Sequence, residues 1–481
     1  MTLVDRIARL GDRSARLARA IIPDPFVIAI LLSAVTLAAG YAIAARRPEQ
    51  AEIGLMGLIS IYAGGMFESD SSTKGLVAFA FKMALILVTG HALAAAGPVR
   101  YALAVFAGRP RTTGGAAAMV AVVAMILGLI NWGVGLVGGA FLAREVGRSF
   151  AQRGQPLNYP LVGAAGYMGL LVWHGGLSGS APLAVASKNS LSSFGMTLDV
   201  TETIFSGLNV VVSLVLLLAI GLLFWVLGKG SGDPGREFPT DPRLLELGSE
   251  SPIPPSPRAN EADETSRFVY WLENSVWVGA VFVLPVLIAL GYWLAKERTG
   301  AINLDSVILT FWMAGMVLHR TPMAYMSAFG EGVKSSAGIL LQFPLYFGIL
   351  AVARDSGLLE VTARSMANFA RGMDSTISAS VTAPVFTFIT SGLVNLFVPS
   401  GGGQWALQSP IILETSNALG LDRAKMLMAF SYGDEITNML QPFWALPLLS
   451  ITGLRAREIM GYTILAMLTA APIFIIALAI S

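Results

Sequence analysis

The chain has 481 residues, of which 54% are hydrophobic and only 13% charged, about half the roughly 25% charge of a soluble domain; mean hydropathy is +0.67. So much apolar surface cannot hide behind so few charges in water, which excludes a soluble fold and makes the chain a polytopic membrane protein. The net charge of +2 points to no nucleic acid, the lack of cysteine excludes disulfides, thiolate metal sites and cysteine nucleophiles, and three histidines (His91, His174, His319) leave little room for metal chemistry.

In chain order, residues 1–25 carry Arg6, Arg9, Arg13, Arg16 and Arg19, show no cleavable signal pattern, and are expected to be a cytoplasmic segment. A spanning helix needs about 20 apolar residues. Charge-free runs that fit one crossing each are Phe26–Ala45, Met83–Val99, Thr203–Gly228, Asn274–Ala295, Ser306–His319, Ser335–Ala353 and Ile459–Ser481. Three further runs, of 32 residues between Arg111 and Arg144, 34 between Arg153 and Lys188, and 39 between Asp374 and Glu414, are too long for one crossing. Each is interrupted by polar, glycine-rich residues: Asn131-Trp132-Gly133, His174 through Ser180, and Asn395 through Gly403. Lipid does not tolerate such backbone, whereas protein or a wet cavity does, so re-entrant hairpins and broken helices are expected. Residues 229–267, with Pro252, Pro254, Pro255 and Pro257, read as a solvated linker.

The order of features repeats. Asn131 and Asn395 lie 264 residues apart, Gly90–Ala94 matches Gly348–Val352, and Gly64–Glu68 resembles Phe329–Gly332. A break near Trp173–Ser180 and another near Ser431–Gln441 follow the two tips, and an uninterrupted crossing closes each half. With Phe26–Ala45 paired to Ser306–His319, Asn274–Ala295 is a spare crossing that turns the second half upside down. The expected fold is an all-α polytopic membrane protein of two inverted repeats, each with a re-entrant helical hairpin and a broken transmembrane helix. Repeat 1 is 26–228 (hairpin about 115–147, broken helix about 158–190), the cytoplasmic linker 229–267, the connecting helix 268–296, and repeat 2 303–481 (hairpin about 376–418, broken helix about 424–453). With the N-terminus inside, the cytoplasmic segments hold 20 Lys+Arg against 11 outside, which favours N-terminus in and C-terminus out.

Several stretches together resemble the short-chain fatty acid transporters of AtoE type. They are Pro23-Asp24-Pro25, Val88–Ala94, Ile130–Gly133 with Gly135–Val137, Ser178–Leu183, His319–Met326, Val398–Gly403 and Gln441–Pro447. The resemblance covers nearly the whole chain. It implies uptake of short monocarboxylates such as acetoacetate and butyrate, a place in a superfamily of inverted-repeat ion transporters, an elevator-type mechanism, a homodimer, and a bacterial inner-membrane location. His174 departs from the family's pattern, in which a small residue is usual.

A carboxylate substrate needs positive potential without a trapping charge, which helix N-termini supply. Asn131, Trp132 and Gly133 with His174, Ser178, Gly179 and Ser180 are therefore expected to form one half-site. Asn395, Ser400, Gly401, Gly402 and Gly403 with Asp434, Glu435, Asn438 and Gln441 form the other. Asp434 and Glu435 interrupt an apolar helix, and an intramembrane carboxylate is costly unless it functions, so H⁺ or Na⁺ is the expected coupling ion. Na⁺ would sit at Asn131, Ser178, Asn395 and Ser400; no cofactor is expected. Gly64, Gly65, Gly138 and Gly139 read as helix-packing residues, Lys82 as a snorkelling lysine, and His91 as either structural or functional. Trp132, Trp173, Phe397, Trp405, Phe443 and Trp444 flank the clusters, with Trp132 and Trp405 the preferred walls for an alkyl tail. An enzyme is disfavoured, since neither H-E-x-x-H nor G-x-S-x-G occurs. The alternatives are a dicarboxylate carrier and a cation antiporter.

Overall fold

The computed structural model describes residues 25–47, 51–67, 76–186, 196–229, 264–297, 304–358, 361, 378–396 and 401–481. Nearly all of the expected segments 1–25 and 229–267, together with Phe397 and Ser400, lie outside them. All regular structure among the described residues is helical. Four stretches are long and apolar enough to cross a bilayer: Thr113–Ile130, Gly207–Lys229, Arg267–Lys296 and Ala456–Ile480.

The first half runs α1 (Pro25–Ala44), α2 (Gly54–Met66), α3 (Leu76–Ala95) and α4 (Gly97–Ala107). A hairpin follows, α5 (Thr113–Ile130) and α6 (Trp132–Gln152), then α7 (Tyr159–Gly166), two 3₁₀ turns at Tyr167–Leu171 and Trp173–Gly175, α8 (Ser180–Val185) and α9 (Gly207–Lys229). Between the halves lie α10 (Glu264–Asn274) and α11 (Val276–Glu297). The second half runs α12 (Leu304–His319), α13 (Pro322–Ser335) and α14 (Ala337–Asp355), then the pair α15 (Ala379–Asn395) and α16 (Gly401–Leu419). It closes with α17 (Arg423–Thr437), 3₁₀ turns at Asn438–Leu440 and Pro442–Ala445, α18 (Leu446–Thr452) and α19 (Ala456–Ile480).

Local chemistry sets these boundaries. Thr112, Asn131, Asn158, Thr321 and Asp422 each cap the helix that follows by accepting a backbone N–H. α7 unwinds where Gly166, Gly169, Gly175, Gly176 and Gly179 accumulate, because glycine loses most entropy in a helix. The second break sits at Gln441, extended at φ −105°, since the residue before Pro442 is excluded from the helical region.

At Asn131 the chain folds back. A Cβ on Gly135 would lie 2.5 Å from the Gly128 backbone and one on Gly139 would lie 3.0 Å from Ala124, so the two arms pair antiparallel. At about 1.5 Å per residue the 18-residue first arm is about 27 Å long, which makes this a deep hairpin. Gln404 Nε2 donates to Ser391 O at 2.7 Å and pairs α15 with α16 in the same way.

Three helices occupy segments read from sequence as exposed connections: α2, α4 and α13. A search for charge-free runs of crossing length misses helices of 13, 11 and 14 residues bounded by charge or glycine. α2 and α13 are structural partners rather than loops. α14 packs on α1 and α2, while α12 and α13 pack on α3. α6 and α17 are buried along nearly their whole length. α11 is the opposite: Trp277 and Val281 are each 76% exposed and Ile288 71%, an apolar surface of the kind that lipid or another protein covers.

Candidate functional site

The two broken helices cross in opposite directions at the centre of the molecule. Tyr159 OH donates to Thr452 O at 3.0 Å. Tyr167 OH donates to Asn438 O at 2.9 Å and Gln441 O at 3.1 Å, and His174 N–H donates to Glu435 Oε2 at 2.8 Å. As the first number rises, the second falls.

At the crossing, His174 Nδ1 lies 2.6 Å from Asp434 Oδ2, both side chains fully buried. Nε2 of the same ring accepts the Ala181 N–H at 3.0 Å, which assigns the ring proton to Nδ1. The imidazole stacks on Trp173 with centroids 4.5 Å apart and meets the edge of Phe430 at 5.9 Å. Only glycine fits at 179, where a Cβ would collide with His174 O. At Gly401, the first residue of the second hairpin arm, a Cβ would lie 2.7 Å from His174 Cε1 and 3.2 Å from Asp434 Oδ2.

The matching asparagines do different work. Asn131 Oδ1 accepts from Val134 N–H at 3.1 Å and caps α6, and Ser178 Oγ accepts the Trp132 N–H at 2.9 Å, which ties the first tip to the first break. Asn395 Nδ2 reaches across to α17, 2.6 Å from Asp434 O, 2.8 Å from Thr437 Oγ1 and 3.2 Å from Asn438 Oδ1. Gln441 Nε2 returns a bond to Asn395 O at 2.7 Å. Buried oxygens of Asn395 (Oδ1), Asp434 (Oδ1) and Gln441 (Oε1), and the Asn131 Nδ2, have no hydrogen-bond partner among the described residues.

A cavity beside this network is lined by Trp132, Leu170, Trp173, Phe343 and Trp444, with Ser180, Gly401 and Asn438 as its polar or small contacts. The rings brace one another: Trp132 meets Trp444 at 5.4 Å and Trp173 at 6.4 Å, and Phe343 meets Trp444 at 6.3 Å. The site thus joins an apolar, aromatic wall to a face of uncharged donors next to a buried carboxylate pair.

Of the residues expected from sequence, Trp132, His174, Ser178, Gly179, Ser180, Asn395, Gly401, Asp434, Glu435, Asn438 and Gln441 meet in this network or cavity. Gly402 is half-buried and Gly403 lies in the same first turn of α16, while Ser400 is outside the described residues. Gly133 instead abuts Ile86 O of α3, where a Cβ would sit 2.8 Å away. Trp405, expected as a pocket wall, packs on Phe430 at 5.0 Å and is not among the cavity-lining residues, because the α16 backbone directs it toward α17. Lys82 pairs with Asp305 at 2.6 Å near the surface, and His91 is buried against Phe141 at 5.7 Å, outside the site. Sequence reading missed Phe343, Tyr167 and Asn209. Asn209 donates to Gly175 O at 2.8 Å and accepts from Tyr432 OH at 3.1 Å, and its one signal was a polar residue inside an apolar run.

The family described as "Short chain fatty acid transporter" matches residues 6–481. A protein of Escherichia coli (strain K12) is 35% identical over 475 residues, covering 98% of this chain and 99% of its own. A protein of Haemophilus influenzae is 34% identical over 466 residues, covering 95% and 96%. Both carry the name "Putative short-chain fatty acid transporter". Among solved structures, the Alcanivorax borkumensis YdaH transporter is similar at 17% identity and a TM-score of 0.48, covering 95% of this chain and 98% of its own. The chain belongs to the short-chain fatty acid transporter family, and is a multi-pass membrane transporter rather than an enzyme.

Proposed function

We propose that the protein is a secondary active symporter for short-chain monocarboxylates such as acetoacetate or butyrate. The observation that carries this reading is the aromatic cavity where both breaks meet, with uncharged polar contacts at one side and Asp434 close by. An apolar wall suits a short alkyl tail, and neutral donors hold a carboxylate without trapping it. Arg144, the arginine buried in α6, is next to Glu145 and does not line the cavity, and no described cavity-lining residue is a cation of the kind a dicarboxylate calls for.

The coupling ion is H⁺, taken up at Asp434, whose buried Oδ1 has no hydrogen-bond partner among the described residues. A second reading, Na⁺, is favoured by the unpartnered carbonyl oxygens of Asn395 and Gln441. Asn131 and Ser178, the other expected Na⁺ ligands, already accept backbone N–H bonds through their oxygens, which weighs against a Na⁺ site at the first tip.

The halves are inverted repeats, a reading supported by the antiparallel crossing of the broken helices and by exchanged contacts: α1 and α2 on α14, α12 and α13 on α3. Elevator movement would carry the hairpins and broken helices past α1–α3 and α12–α14. The homodimer, the bacterial inner membrane and a cytoplasmic N-terminus with the C-terminus outside complete the proposal; the Lys+Arg imbalance supports the orientation. Purified protein in vesicles preloaded with unlabelled butyrate should draw in labelled butyrate by counterflow. Labelled succinate entering instead would replace this reading with the dicarboxylate one.

A further inference from the structure

We propose that His174 serves coupling as a positioning residue that keeps one tautomer and does not itself take up the coupling ion. Its Nδ1–H holds Asp434 Oδ2 and leaves Asp434 Oδ1 as the open position. This rests on the symport reading above and specifies which group in the buried pair is exchanged.

Both ring nitrogens are already committed. Nε2 accepts the Ala181 N–H at 3.0 Å, so a proton placed there would face another N–H across that distance. Nδ1 donates to Asp434 Oδ2 at 2.6 Å, the short length of a charge-assisted bond. Nor can the ring swing free. Trp173 stacks on one face at 4.5 Å, Phe430 closes an edge, and Gly401 lies so near Cε1 that a single added methyl would touch it. The main chain is pinned as well, through His174 N–H to Glu435 Oε2 and through the Gly179 contact on His174 O.

The charged groups facing this imidazole are Asp434 and Glu435, both from α17. Trp173 of the first break, Ala181 of α8, Gly401 of α16 and Phe430 of α17 bring no titratable group, and the Tyr432 hydroxyl is turned to Asn209. Asp434 is the member that can take a further partner, since its Oδ1 is buried and accepts no hydrogen bond among the described residues. Neutralising that carboxylate weakens its hold on the His174 ring, and so on the break that carries it. Ion uptake on the second half is thereby transmitted to the break of the first.

Two non-titrating replacements separate the contacts. In His174→Asn the amide nitrogen takes the place of Nδ1 and keeps the Asp434 bond; in His174→Gln the amide oxygen takes the place of Nε2 and keeps the Ala181 bond. Labelled butyrate is measured in proteoliposomes in two modes, counterflow exchange and accumulation under an imposed pH or Na⁺ gradient. His174→Asn is expected to accumulate butyrate within about threefold of wild type with an unmoved pH profile. His174→Gln and His174→Ala are expected to lose accumulation by tenfold or more while exchange persists. A His174→Asn protein that exchanges but does not accumulate, or whose pH profile shifts, overturns the proposal. Nitrogen NMR of wild-type protein labelled at its histidines gives a reading independent of any variant. His174 Nε2 should show the shift of an unprotonated acceptor and Nδ1 that of a protonated donor, and the reverse assignment also overturns the proposal. Wild-type protein that fails to exchange butyrate at all defeats the symport reading, while the NMR result still decides the tautomer.

Discussion

Each half brings a hairpin tip and a broken helix to the centre, yet the two bring opposite chemistry. The first break offers His174, Ser178 and Ser180, whereas the second offers Asp434 and Glu435 among the amides Asn438 and Gln441. The tip asparagines differ in the same way. Asn131 spends its oxygen on its own helix, and Asn395 spends its nitrogen on three acceptors of α17 and its 3₁₀ extension. A residue's place at a tip or a break therefore does not decide its role; the neighbour across the crossing does. The half with the carboxylates can respond to an ion; the half with the neutral donors can respond to the first.

The largest expected effect comes from erasing that charge difference. Asp434→Asn should abolish gradient-driven accumulation of butyrate by tenfold or more while exchange continues, because the asparagine imitates a permanently neutralised carboxylate. Wild-type accumulation in this variant under both pH and Na⁺ gradients would show that the asymmetry is structural only.

Next, Asn395→Ala should lower uptake about tenfold, since it strips a donor from Asp434 O, Thr437 Oγ1 and Asn438 Oδ1 at once, and an unmet buried group costs about 1–3 kcal/mol. Asn131→Ala should cost about 1 kcal/mol of local stability through the lost cap and reduce uptake less, and Asn131→Ser should restore it. Equal uptake by the two alanine variants, with equal melting temperatures, would erase the distinction between the tips.

A smaller effect is expected from Gly401→Ala, whose methyl would press on the His174–Asp434 contact and slow uptake several-fold. Uptake rates decide this: a wild-type rate in Gly401→Ala would remove that contact from the transport cycle. Least of all, Lys82→Ala should leave uptake unchanged and cost at most about 1 kcal/mol, because its partner Asp305 is 62% exposed. A transport defect there would extend the functional region to the outer packing of α3 and α12.

Composition and run length were enough to place the chain in a membrane, since no aqueous fold accommodates 54% hydrophobic residues with 13% charged ones. A glycine cluster marked the first break and Asn131 the first tip, because propensity acts within a few residues. Short helices such as α2 and α13 escaped this reading, their stability coming from packing on α14 and α3 rather than from length. His174 and Asp434 were each conspicuous alone, but 260 residues separate them, and only the antiparallel crossing put Nδ1 against Oδ2. Phe343 and Asn209 gave still less away. One looks like any apolar residue of α14 and the other like an isolated polar residue of α9, until tertiary contact turns the first toward Trp444 and the second toward Tyr432. Local preferences are written in neighbouring residues, whereas a site assembled from distant helices exists only once packing has chosen which faces meet.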